Sequence, residues 1–321
     1  MENESTVKLI SLDTIPVQEV EWLVYPFIPC GKITIIQGDP GEGKTTFILQ
    51  LIARLTTGRP AWDGMSPMTP GNVIYQTAED GLSDTIKPRL LAAGAACDKV
   101  LVIDDSDRAL TLEDDRLEQA IVQTHARLVV LDPIQGYIGA GVDMHRANEI
   151  RPLMHRIGVL AEKHHCAIVL IGHMNKNSGE KSSYRGLGSI DFQAAARSVL
   201  VVGRIKDDPM LRVVCPTKSS LAPEGKAIAF RLDPEQGFQW AGEYDISAED
   251  LLSGNSRGHK LREAQNFLQE VLAEGAVPQT EIEATAEQKG IKPKTLRNAR
   301  YELSITSRKV GKQWLWELPQ E

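Results

Sequence analysis

From residue 31 to about 218, short apolar runs alternate with longer amphipathic stretches. The segments 33–37 (ITIIQ), 72–77 (NVIYQT), 100–103 (VLVI), 128–132 (LVVLD), 167–171 (AIVLI) and 198–202 (SVLVV) are mostly unbroken in their hydrophobicity. Such runs predict strands buried on both faces of a parallel sheet. Between them, 45–55, 112–124 and 146–164 carry helical periodicity. The last of these puts Ile150, Leu153, Ile157, Leu160 and Ala161 on one stripe. Pro152 either kinks that helix or belongs to its first turn. Strand–helix alternation of this kind predicts an α/β fold, a mainly parallel sheet with helices on both faces.

Beyond residue 211 the pattern changes. Segments 211–215, 227–232 and 237–241 read as short strands with turn residues between them, a hairpin extension of the sheet. Segment 247–259 is polar and Gly/Ser-rich, the composition of a linker. A helix is predicted over 260–273, with Gly275 stopping it. A second begins at Thr280, where Glu283 completes capping-box spacing, and ends at Gly290. Lys292-Pro293 opens a third over 294–303, and 308–310 with 313–318 read as a hairpin. Helix–helix–turn–helix–hairpin is the outline of a winged helix-turn-helix. The expected division is a first unit over 1–246, a linker over 247–258 and a small unit over 259–321.

Composition adds limits. Of 321 residues, 42% are hydrophobic and 25% charged, ordinary for a soluble globular chain. No run approaches the length of a membrane span, so no membrane partner is expected. The start, MENESTVKLI, is acidic and polar, unlike a secretory signal. Cys30, Cys97, Cys166 and Cys215 are far apart with no C-x-x-C, which argues against zinc or a disulfide framework and for a reducing, cytoplasmic setting. The chain is acidic overall, with 36 basic against 43 acidic residues, yet 255–321 carries eleven Lys or Arg against nine Asp or Glu. Within that tail 288–301 holds Lys289, Lys292, Lys294, Arg297 and Arg300 and no acid. Charge alone leaves a solvated helix face and a DNA-binding face equally open.

The chemistry is concentrated at Gly38-Asp39-Pro40-Gly41-Glu42-Gly43-Lys44-Thr45, which matches G-x-x-x-x-G-K-[ST] between a strand and a helix that also takes in Thr46. Glycines let backbone N–H groups curl towards phosphate oxygens, and the helix N-terminus adds a positive dipole end. Lys44 is expected to reach the β- and γ-phosphates of ATP, and the Thr45 hydroxyl to ligate Mg²⁺. The Mg²⁺ also needs a carboxylate on a neighbouring strand, standing behind its direct ligands, and Asp132 ends an apolar strand, where that acid belongs. Pro133 follows it, so the group that activates water comes from elsewhere. Glu79 and Asp80 follow the strand NVIYQT, and strand C-terminal ends line the ligand crevice. Glu79 is assigned as the base, with Asp80 the acid that complements a helix N-terminus.

A glutamate after the second strand and an aspartate ending LVVLD resemble RecA-like ATPases. The stretch 22–57 with its GDPGEGKTT loop looks like the mobile-element and phage ATPases grouped with the plasmid hexameric helicase RepA. The resemblance covers about 10–235 through the ordered motifs P-loop, TAED, LVVLDP, IGHMNK and YRGLGS…ARSVL. It implies that His173 contacts the γ-phosphate and that Arg197 reaches the nucleotide of a neighbouring subunit. Lys218 stands where replicative helicases carry a lysine followed by an arginine finger, but Ser220 replaces that arginine, so the weight moves to Arg197. The resemblance makes 174–188, with Lys176, Lys181 and Arg185, the loop that faces single-stranded DNA in a ring pore. Similar C-terminal tails occur in phage and genomic-island ATPases, though not in RepA. In a helix-turn-helix the last helix enters the duplex, which gives Lys294, Arg297 and Arg300 a DNA-binding role; a module for protein contacts is the other reading. The expected function is an Mg²⁺-dependent, ring-forming, homo-oligomeric ATPase, with a hexamer expected, that acts as a helicase or DNA-remodelling motor in mobile-element or phage replication. The alternative is an ATP-switched DNA-binding regulator, recombination or partition protein without unwinding.

Overall fold

The computed structural model describes residues 9–174, 190–254, 257–311 and 313–319. The chain enters as an extended arm that leaves Leu9, Ile10, Leu12, Ile15 and Val17 exposed. It then forms the small antiparallel pair β1 (Trp22–Val24) and β2 (Ile28–Pro29). The main run follows: β3 (Ile33–Gly38), α1 (Lys44–Thr57), β4 (Val73–Thr77), a π-helical turn Leu82–Ile86 continuing into α2 (Lys87–Ala92), and β5 (Val100–Leu101). After these come α3 (Asp115–Thr124), β6 (Leu128–Asp132), α4 (Ala147–Lys163), β7 (Ala167–His173), α5 (Ile190–Ala195) and β8 (Ser198–Ile205). The strands β9 (Asp208–Ser219), β10 (Ala227–Asp233) and β11 (Gly237–Tyr244) then extend the sheet antiparallel from β8. Nine strands stand in the order β11-β10-β9-β8-β3-β7-β6-β4-β5, and β3 to β8 are mutually parallel.

The unbroken apolar runs explain this arrangement. Every residue of β3 and β6 is buried, and β7 is buried up to His173. One face packs Ile36, Val130, Val169 and Ile171 under Ile48, Ile52 and Leu55 of α1. The other packs Ile35, Val129, Ile168 and Leu170 under Ile150, Leu153 and Ile157 of α4. With α1 on one face and α4 on the other, a crevice opens at the carboxyl ends of the strands, the usual ligand position in such sheets. Pro152 is the sixth residue of α4, past its first turn. The helix carries it on the exposed side, so the Asn148 carbonyl that loses its partner stays near water.

Several expectations need correction. The strand expected over 100–103 is paired only at Val100 and Leu101. Beyond them the Gln76 side chain replaces the ladder, accepting the Ile103 N–H at 2.6 Å and donating to its carbonyl at 3.3 Å. The segment read as linker contains α6 (Ala248–Ser253), capped by the Ser247 hydroxyl, which accepts the Asp250 N–H at 3.1 Å. Leu251 anchors α6 to β8 over Gly203, where a Cβ would stand 2.9 Å from its Cγ. A polar composition concealed a helix that Leu251 attaches to the sheet, with Ala248 and Leu252 partly buried beside it.

The remaining elements are α7 (Arg257–Leu272), β12 (Val277–Pro278), α8 (Gln279–Gln288), α9 (Pro293–Glu302), β13 (Thr306–Val310) and β14 (Gln313–Glu317), with sheet order β12-β14-β13. They enclose a core of their own, including Phe267, Leu268, Ile282, Leu296, Ile305 and Trp316. The expected capping box is not formed. Pairing of Val277 and Pro278 with β14 delivers the chain directly into α8, so Thr280 is already helical and Pro278 takes the cap position without a side-chain bond. Gln279 instead donates to Glu283 at 2.7 Å.

Because Leu268 is fully buried in this small core, Leu268→Ala should destabilise these elements by about 3 kcal/mol. Hydrogen–deuterium exchange is the check: α7 to α9 should exchange faster while β3 and β7 keep the parent's protection.

Candidate active site

The loop between β3 and α1 sits at the centre of the crevice. Gly38 is required by the close approach of β8: a Cβ there would lie 2.2 Å from the Val202 carbonyl oxygen. Gly43 caps α1 with φ of 92°, a left-handed conformation that favours glycine. Lys44 follows as the first residue of the helix and is only 5% exposed. Its ammonium donates to the carbonyl oxygens of Gly38 and Asp39, each at 2.9 Å, and lies 3.3 Å from His173 Nδ1. Burial pulls the lysine below its ordinary value, while Asp132, Asp39, Glu42 and Glu79 act to raise it. The surrounding carboxylates thus favour the charged form of the buried ammonium, the group on the loop that an incoming phosphate would meet.

On the neighbouring strands, Asp132 ends β6 with its Oδ2 accepting from the Thr45 hydroxyl at 2.7 Å and the Tyr75 hydroxyl at 3.0 Å. Burial raises its carboxyl, and these two donors together with Lys44 work against that rise. Tyr75 was not anticipated as part of the site. The signal was present, since a tyrosine in an otherwise buried strand needs a partner for its hydroxyl. Thr45 and Asp132 offer two hard oxygen ligands side by side, the donor set Mg²⁺ takes when phosphates and water complete its shell. Among the described residues no group of three or more His, Cys, Asp or Glu side chains forms a metal cage, in keeping with that partial set.

Glu79 and Asp80, left side by side by sequence, are separated by the structure. Asp80 faces another partner: its N–H donates to the Thr77 hydroxyl at 3.0 Å and its carboxylate faces Arg89 at 3.6 Å, while its charge still reaches Asp132 and Tyr75. Glu79 turns towards the crevice, Oε2 lying 3.6 Å from His173 Nε2. With the Lys44 ammonium facing Nδ1, the imidazole proton is assigned to Nε2, on the side of Glu79. Lys44, His173 and Glu79 thus form a line across the ends of α1, β7 and β4.

Arg197 is elsewhere. It precedes β8, where its N–H donates to the Ile33 carbonyl at 3.0 Å, beside the first residue of β3. It is exposed at the end of the sheet opposite the loop, outside its own chain's crevice. Lys218 is committed to the carbonyls of Gln193 and Ala194 at 2.7 and 3.2 Å, closing the end of α5. Lys176, Lys181 and Arg185 lie outside the described residues. On α9, Lys294 and Arg297 are exposed, whereas the Arg300 guanidinium stacks 4.6 Å from the Trp316 ring centre.

The model of a family described as AAA domain matches residues 2–179, over half of the chain and the whole loop-to-β7 region. The chain belongs to this AAA domain family. Protein RecA of Acinetobacter baylyi is 23% identical to this AAA protein over 286 residues, covering 80% of the chain and 76% of RecA. The DNA repair protein RadA of Halalkalibacterium halodurans is 27% identical over 148 residues, covering 46% of the chain. A mitochondrial DNA repair protein recA homolog of Dictyostelium discoideum is 25% identical over 235 residues, covering 67% of the chain. The chain spans 28% of the RadA protein and 48% of the Dictyostelium protein. A KaiC-like protein from Pyrococcus horikoshii aligns with a TM-score of 0.48 and 16% identity over 70% of this chain and 99% of its own. Family, loop and sheet together give this AAA protein a RecA-like α/β core that carries a P-loop.

If Thr45 and Asp132 hold the metal, Asp132→Asn should remove the Mg²⁺ dependence of nucleotide binding. Tyr75→Phe, which deletes one of two donors to the same oxygen, should shift it only several-fold, as expected for the loss of one hydrogen bond of about 1 kcal/mol. Titrating Mg²⁺ at fixed fluorescent nucleotide checks both; equal effects from the two variants would contradict the assignment.

Proposed function

We propose that this chain is an Mg²⁺-dependent ATPase that assembles into a ring, a hexamer in the reading favoured here, and acts on DNA as a helicase-like or remodelling motor in mobile-element or phage replication. One observation carries the catalytic part: Lys44, the Thr45–Asp132 pair, His173 and Glu79 converge at adjoining strand ends. Mg²⁺–ATP, held by Thr45, Asp132 and the loop from Gly38 to Thr46, supplies a phosphoryl group with its charge partly neutralised. Lys44 contributes positive charge at the phosphate oxygens. Glu79 Oε2 accepts a proton from the attacking water, and the His173 Nε2–H orients that carboxylate. Arg197, exposed and outside its own crevice, is suited to complete a neighbour's site.

The DNA part is supported by the names of the relatives, DNA repair proteins and RecA, and by the C-terminal elements. Their helix–strand–helix–helix–hairpin order fits a winged helix-turn-helix, with Lys294 and Arg297 exposed on α9. We place the ATPase unit over residues 1–254 rather than 1–246, since α6 packs on β8, and the DNA-binding unit over 257–321. Single-stranded DNA is assigned to 174–188 and duplex to α9. Among the described residues no helix is long and apolar enough to cross a membrane.

The deciding experiment compares ATP turnover with and without single-stranded DNA. Single strands should raise the parent's rate, and Glu79→Gln should lower it by about 10²–10⁴-fold with nucleotide binding retained. Asp80→Asn, facing Arg89, should have little effect. A rate indifferent to DNA would sink the motor reading. The exposed cations of α9 then favour the second reading, an ATP-switched DNA-binding protein without unwinding.

The two surface cations of α9 make a separate prediction. The Lys294→Ala/Arg297→Ala pair should weaken duplex binding and reduce the log–log salt slope by roughly 0.9 for each phosphate the variant no longer neutralises. Arg300→Ala should also lower stability, because it removes the stacking on Trp316. Salt titrations of duplex binding beside thermal melts distinguish these outcomes.

A further inference from the structure

The phosphate loop carries two acids of its own, Asp39 and Glu42, although its task is to receive a polyanion. Asp39 is exposed and its charge is screened by water. Glu42 is not: its side chain is 17% exposed, and Oε2 is buried with no hydrogen-bond partner among the described residues. A carboxylate in that position works against phosphate binding unless positive charge is fixed next to it.

Two arginines stand there. Arg204, near the end of β8, places NH2 3.5 Å from Glu42 Oε1. Arg212, on β9, is directly opposite Arg204 in the antiparallel ladder. It is 8% exposed, its Nε has no hydrogen-bond partner among the described residues, and one NH2 group donates to the Pro209 carbonyl. Like charges directly opposite one another destabilise a sheet. Asp208 does not relieve this pair alone, because its Oδ2 holds both terminal nitrogens of Arg231, at 2.9 and 2.5 Å. Glu42 is the counter-charge with the larger effect on Arg212: its field, followed by that of Asp208, acts to stabilise the Arg212 cation against burial and against Arg204. The strand pair therefore sets two arginines beside Glu42, one in an ion pair with it and the other within its field.

We propose that Arg204 and Arg212 are positioning residues for the phosphate loop: they draw the Glu42 carboxylate back against β8 and β9 and cancel its charge, so that the loop accepts a nucleoside triphosphate. The inference rests on the reading of loop 38–45 as the nucleotide site. It ties nucleotide affinity to the antiparallel extension of the sheet.

Direct titration of a fluorescent ATP analogue with Mg²⁺, without turnover, tests it. Arg204→Ala should weaken binding by about tenfold, because it releases a carboxylate near the phosphates. Arg204→Lys should restore most of that loss. Glu42→Gln should tighten binding several-fold, and Glu42→Gln combined with Arg204→Ala should come within about twofold of the parent, a coupling a double-mutant cycle reads directly. Arg212→Met keeps the buried volume and should show the same rescue by Glu42→Gln. Melts without nucleotide confirm that each variant is folded. A purely structural ion pair predicts the reverse: Glu42→Gln weakens binding as Arg204→Ala does, and the double variant shows no recovery. That outcome, or Arg204→Ala binding like the parent, overturns the proposal. Lys44→Ala is the control on the underlying reading; if it binds nucleotide like the parent, the loop is not the site, whatever the arginines do.

Discussion

Two-sided burial of the central strands is the constraint on which the rest depends. The strands β3, β6 and β7 have helices or hydrophobic clusters on both faces, so polar side chains are nearly confined to their ends. The parallel register then decides which ends meet. Gly38 is level with His173, and Thr77 with Asp132. The candidate site is therefore tied to strand length: Asp132 and His173 are each the last residue of a strand, and the register brings them to the rim where Gly38 opens the loop.

At that rim, burial moves two opposite groups in opposite directions. It lowers the Lys44 ammonium and raises the Asp132 carboxyl, and each acts to restore the other's charge. Thr45 and Tyr75 then hold the aspartate, and two loop carbonyls hold the lysine. Fixed partners thus oppose the effect of burial on each charge. An incoming metal and phosphate would meet groups already oriented, so little reorganisation opposes binding.

Much of this was legible in the sequence for a local reason. The strands at 33, 128 and 167 are continuous apolar runs, and the glycine-lysine loop identifies itself by spacing and context. What escaped was what depends on neighbours distant in the chain. Tyr75 gains its role only from Asp132, which lies 57 residues on. The sequence assigned the base to Glu79, but the partners His173 and Arg89 that set Glu79 and Asp80 apart lie outside the local pattern. The helix α2, which continues a π-helical turn and carries Pro88 at its second position, has no counterpart in the sequence reading. The capping box failed because the segment paired with β14 leads into the helix at Gln279, which puts Pro278 rather than Thr280 at the cap position. The cations beside Glu42 come from strands more than 150 residues away, and no local pattern announces them.

The Gln76 side chain has a consequence at the far edge of the sheet. By taking both backbone groups of Ile103, it substitutes an amide for a strand and stops β5 after two paired residues. An exposed edge is a template for another chain only if it offers a row of evenly spaced donors and acceptors. Here that row ends almost where it begins. One glutamine thus works as a terminator, and the edge beside β4 is a stub too short for a foreign strand to read.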